Sequence, residues 1–117
     1  MFRPAPGVRV FLAPGSTDLR KQIDGLAMVA EQQLARDPYS GHLFCFCNQR
    51  HKQVKILYWD RTGFCLWQKR LSREHFHWPK SEQEVLELSD RELSWLLEGM
   101  QLPLTGGHKT RHYTVLA

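Results

Sequence analysis

At 117 residues and 13.7 kDa the chain has the size of one domain, which excludes a multidomain reading. Hydrophobic residues make up 42% and charged residues 24%, too apolar a mix for general disorder, and no apolar run approaches the ~20 residues of a membrane span. The first seven residues, Met1 to Gly7, have no continuous apolar stretch of signal-peptide type, and the three cysteines are an odd number. Reduced thiols in the cytoplasm are the expectation, with no disulfide framework.

The net charge of +4 is unevenly distributed. Between Cys47 and Lys80 eight Lys/Arg face two acids, a local +6, whereas Ser81 to Glu98 carries six acids and one arginine, a local −5. Such a polarity suits either a polyanion-binding face with a separate partner face, or two solvated surfaces of opposite sign.

After a leader rich in proline and glycine, the β-branched stretch Val8–Leu12 predicts a strand, and Ala13-Pro14-Gly15 ends it. Ser16, Thr17 and Asp18 are candidate N-caps for a helix carrying Leu19, Ile23, Leu26, Ala27, Ala30 and Leu34 on one stripe. Gly25 inside it suggests close packing against a strand, and Asp37-Pro38 ends the helix. The centre reads as an antiparallel meander of His42–Cys47, Gln53–Trp59 and Phe64–Lys69. The turn Asp60-Arg61-Thr62-Gly63 is expected to place glycine at the positive φ. The last third reads as helical. Ser81–Glu84 and Ser89–Glu92 both match a capping box, Leu93, Leu96, Leu97 and Met100 share a face, and Gly99 marks a stop. Residues 1–104 are expected to form one domain and 105–117 a mobile tail. The predicted class is α+β: a small antiparallel sheet, a three-strand meander plus a short N-terminal strand, packed on a long N-terminal helix, with a C-terminal helix.

Motifs for chemistry are scarce. Cys45-x-Cys47 has strand spacing, and His75-x-His77 and His108-xxx-His112 are weak ligand pairs, so neither metal nor cofactor is expected. The chain has no GxSxG elbow, glycine-rich phosphate loop or HExxH. Asp18, Asp24, Asp60 and Glu74 could converge on a divalent metal, but Asp18 is accounted for as a cap and Asp60 as a turn residue. The expectation is a non-enzymatic protein. Arg50, Lys52, Lys55, Lys69, Arg70 and Arg73, interleaved with Trp59 and Trp67, instead suit phosphate neutralisation with base stacking.

Several blocks in order carry a family resemblance: Asp18-Leu19-Arg20-Lys21, Asp24-Gly25-Leu26, Asp37 through Phe44, Lys55 through Asp60, Gly63 through Trp67, Lys69-Arg70-Leu71, Phe76, Trp78-Pro79 and Leu93 through Gly99. From about Val8 to Gly99 the chain resembles the small TnpB-type accessory protein, encoded by the second reading frame, of bacterial insertion-sequence family sixty-six. Members tend to have a denser arginine run after the second strand, where this chain has Cys47, Gln49 and Gln53 beside Arg50. The resemblance implies a non-catalytic role in transposition beside a larger transposase, and it supplies no catalytic residues. The expected partners are element DNA, contacted by the six cations above, and the transposase. Alternatives are an adaptor docking through acidic Ser81–Glu98, with Trp95 and the Leu93/Leu97 stripe, or a homodimer through an uncovered sheet face.

Overall fold

The computed structural model describes residues 4–80 and 84–102. Strands β1 (Val10–Leu12), β2 (Leu43–Cys47), β3 (Gln53–Asp60), β4 (Gly63–Arg70) and β5 (Leu86–Leu88) form one sheet in the order β4-β3-β2-β1-β5. Helices α1 (Ile23–Gln32) and α2 (Asp90–Leu97) accompany it. The expected meander is present, with β3 and β4 in unbroken register from Gln53 opposite Arg70 to Asp60 opposite Gly63. β1 lies between β2 and β5, parallel to the first and antiparallel to the second. A parallel pair needs a crossover connection, and α1 lies within it.

The expected antiparallel α+β sheet on a long N-terminal helix is therefore overturned. The sheet is mixed and five-stranded, and the helices are only ten and eight residues long, so the protein is mostly sheet. The apolar stripe did mark inward positions, since Leu19, Leu26, Ala30 and Leu34 are buried, but only its middle coils. Local bonds explain the late start. Asp18 Oδ1 accepts the Arg20 N–H at 3.0 Å, and the Leu19 carbonyl accepts Lys55 Nζ at 2.8 Å where a helix would offer an N–H four residues on. The N-cap is consequently Gln22, with no side-chain cap. At the far end Ala35 takes a left-handed φ of 55° while the Arg36 N–H reaches the Ala30 carbonyl at 3.0 Å. A Cβ on Gly25 would meet Lys21 Cβ at 2.9 Å, so this glycine admits the turn before the helix rather than a strand.

β5 is the second departure, because its segment read as helical. Leu86 and Leu88 point into the core, and the intervening Glu87 accepts from Arg9 Nε, beside β1, at 2.8 Å. Downstream the capping box and the Leu93, Leu96 and Leu97 face hold, whereas Met100 lies beyond α2 and is exposed. Ser89 Oγ accepts the Glu92 N–H at 3.1 Å and Glu92 Oε1 accepts the Ser89 N–H at 2.8 Å, a complete capping box. Gly99, at φ 84°, ends α2, with Met100 N–H on the Trp95 carbonyl and Gly99 N–H on that of Leu96, both at 3.0 Å. The Ser81 box falls partly outside the described residues, and the tail with His108 and His112 wholly so.

Each face of the sheet has its own core. Val10, Leu12, Cys45, Cys47, Val54 and Ile56 pack under α2 and under the strap that follows β4, which contributes Phe76 and Trp78. Phe11, Phe44, Phe46 and Leu57 pack under Leu26, Val29 and Ala30 of α1. Trp78 Nε1 donates to the Ala13 carbonyl at 2.8 Å and so fastens the strap across the end of β1. Both faces of the sheet are thus covered over β1 to β3, whereas Gly63 to Trp67 of β4 stay partly exposed.

Candidate nucleic-acid interface

Backbone bonds gather one end of the sheet from three segments. The Asn48 side chain organises the loop between β2 and β3: its Oδ1 accepts the N–H groups of Lys52 and Gln53 at 3.0 and 3.1 Å, and its carbonyl accepts that of His51 at 3.0 Å. His51 tolerates a φ of 59° in this tight turn, and Arg50 projects from its outer side into solvent. The end of β4 joins the loop through Leu71 N–H on the Lys52 carbonyl at 2.9 Å, and the strap through Phe76 N–H on the His51 carbonyl at 2.7 Å. Thr17 N–H on the Cys47 carbonyl at 2.8 Å brings in the segment before α1.

Arg50, Lys52, Arg70 and Arg73 thereby share one end of the molecule; Lys52 is half-buried and the three arginines are exposed. Arg20 and Lys21, exposed on the Thr17 side and absent from the expected set, lie beside them. The sequence signals them as the run Arg20-Lys21, which the apolar stripe places inside the predicted helix. A groove of about 560 Å³ runs between the Ser16–Arg20 segment and the loop, lined among others by Thr17, Asp18, Arg20, Asn48 and Arg50. Asp18 is the acid in this wall. It pairs with Arg20 at 2.9 Å, whose hydrogen bonds hold its carboxyl down at about 2.

Two cations of the expected set are engaged elsewhere. Lys55 is 8% exposed, with its ammonium on the Leu19 carbonyl beneath α1. Lys69 lies on the opposite face and donates to the Leu97 carbonyl at 2.7 Å, closing the C-terminal turn of α2. The tryptophans are separated as well. Trp67 is half-buried against the α2-side core. Trp59 sits at the far end of β3 in a cluster with Tyr39 and Phe64, ring centres 5.0 to 5.2 Å apart. The acidic segment is similarly divided: Glu92 is buried, Glu87 is paired with Arg9, and Leu93 and Leu97 belong to the core rather than to a docking stripe. Among the described residues, no three His, Cys, Asp or Glu side chains gather as a metal site would need. No described helix is long and apolar enough to cross a membrane.

No solved structure matches the chain. It is 36% identical over 100 residues to the uncharacterized protein y4hO of Sinorhizobium fredii (strain NBRC 101917 / NGR234), covering 86% of this chain and 87% of that one. It is 32% identical over 100 residues to the uncharacterized protein y4jC of the same strain, covering 86% of each. The family of IS66 Orf2-like proteins matches residues 8–105, nearly the whole of both cores and the basic end. The chain therefore belongs to the IS66 Orf2-like family, which implies an accessory role in transposition.

Proposed function

We propose that this protein is a non-catalytic transposition accessory that binds the DNA of its element through the basic end of the sheet. The observation that carries the reading is the convergence of Arg50, Lys52, Arg70 and Arg73 by backbone bonds between loop, strand and strap. Cations fixed in this way neutralise phosphates without first ordering a loop, which lowers the entropic cost of binding. The groove beside Arg50 gives the strand a track, and the amides of Asn48 and Gln49 supply neutral donors along it.

Fluorescence anisotropy on element-end and scrambled duplexes across a salt series tests this. Four phosphate contacts correspond to a log–log slope of about −3.6. Reversing Arg50, Arg70 and Arg73 together should remove most of that slope; an unchanged slope would show that DNA is held elsewhere. A second reading has support from the Tyr39, Trp59 and Phe64 cluster, at the opposite end of the sheet, where Tyr39 is 60% exposed. Aromatic anchors of this kind suit a protein contact, and the transposase is the partner proposed for them. Retention of the transposase at high salt, lost in Tyr39→Ala, is the expected outcome.

A further inference from the structure

The two edges of the sheet are built differently. β5 is three residues long, and its Glu87 is tied to Arg9. β4 is eight residues long, contains no proline and keeps register with β3 throughout, so no bulge bends it away. Natural edge strands are usually blunted by shortness, proline, bulges or charge. On β4 the charges Lys69 and Arg70 stand only at its last two positions, and Gly63 to Trp67 are all partly exposed. Phe64 and Leu66 line one shoulder, and Cys65 and Trp67 the other. Among the described residues no strand pairs with the outer side of β4.

From this we infer that β4 is a dimerisation edge, pairing antiparallel with β4 of a second copy about a two-fold axis near Leu66. This goes beyond the DNA-binding proposal and does not depend on it. Three features select a second copy as the occupant. An antiparallel edge is self-complementary, so the contact closes on itself as an isologous dimer requires. Charge sets the direction: a parallel pair would stack the Lys69–Arg70 ends of both copies, whereas the antiparallel pair sets each beside the other's Asp60–Gly63 turn, where the exposed Asp60 and Arg61 cancel. Size is sufficient as well. Eight residues extend about 26 Å, and covering layers ~10 Å off each face make the edge about 20 Å deep. That gives on the order of 1,000 Å² buried in total, the lower bound of a specific interface.

Sedimentation equilibrium of the full chain from low to high micromolar concentration should show a shift towards twice the 13.7 kDa of one chain. Leu66→Lys, which sets like charges near the axis, should return it to one chain with the sheet signature in circular dichroism retained. Because Leu66 also packs on the α1 core, amide hydrogen exchange of the wild-type protein gives a second test: the β4 peptide should gain protection as concentration rises. A single-chain mass at every concentration overturns the proposal. So does a dimer whose β4 exchange is indifferent to concentration, which would place the contact elsewhere. Protection of β4 that appears only on adding transposase would assign the edge to a strand of that partner and equally overturn it.

Discussion

The ammonium of Lys55 sits inside the protein with the Leu19 carbonyl as its partner, and it joins the segment before α1 to the middle of the sheet. Lys55→Ala should lower stability by about 2 kcal/mol, because it strands a buried carbonyl, while leaving DNA affinity unchanged. Urea unfolding and anisotropy on the same variant check both halves. Nothing in an alternating strand distinguishes a lysine that bends inward to a loop carbonyl from one that reaches out. That information lies in the position of Leu19, thirty-six residues away in sequence. Glu92 is the corresponding case for an acid. Its residue type and spacing announced the capping box, but not its complete burial or the absence of a hydrogen bond to Oε2. Burial raises its pKa, partly offset by the bonds to Ser89. The protonated form is therefore favoured in the folded state, and the stability it confers is present in acid and is lost as pH rises through the folded value. Glu92→Gln, which can keep the Ser89 bond, should raise the melting temperature at pH 7, with the difference shrinking as the wild-type carboxyl becomes neutral in acid. Melts at the two ends of that range decide it.

At the scale of elements, the hairpin between β3 and β4 was legible in position and length but not in backbone detail. Arg61, not Gly63, takes the left-handed φ, at 53°, and a Cβ on Gly63 would meet nothing within 4 Å. Arg61→Gly should therefore relieve about 1 kcal/mol of strain, whereas Gly63→Ala should be neutral or mildly stabilising. Thermal melts of the two variants would show the reverse order if glycine were needed where the sequence suggested. Gly99 is the opposite case, since its φ of 84° and its place at the end of α2 were both signalled. Gly99→Ala should cost about 1 kcal/mol or more. The capping box, the meander and the inward stripe of α1 follow from local periodicity and were readable. The shortened α1 and the strand β5 depend on tertiary partners, Lys55 for the first and β1 for the second, and no local pattern encodes these.

For the molecule as a whole, the charge count singled out the segment from Cys47 to Lys80, and burial divides its cations. The basic end keeps Arg50, Lys52, Arg70 and Arg73 and gains Arg20 and Lys21, with Asp18 set against them. Asp18→Asn keeps an acceptor for the Arg20 N–H and frees its guanidinium, so DNA affinity at low salt should rise and the slope should steepen by about 0.9. An unaltered slope would remove Arg20 from the binding surface. The thiols give a check on the interior. Burial pushes Cys45 far up and Cys47 up to about 12, so only Cys65 should react with a thiol reagent before unfolding. The position of β1 has a further consequence, for synthesis. β1 is made first and is flanked on one side by β5, whose residues leave the ribosome only after all of the meander. Until then the growing chain carries a bare hydrophobic strand in what will become the interior of its sheet. A message cut short before codon 86 should therefore yield a product that aggregates or is degraded rather than a smaller working domain.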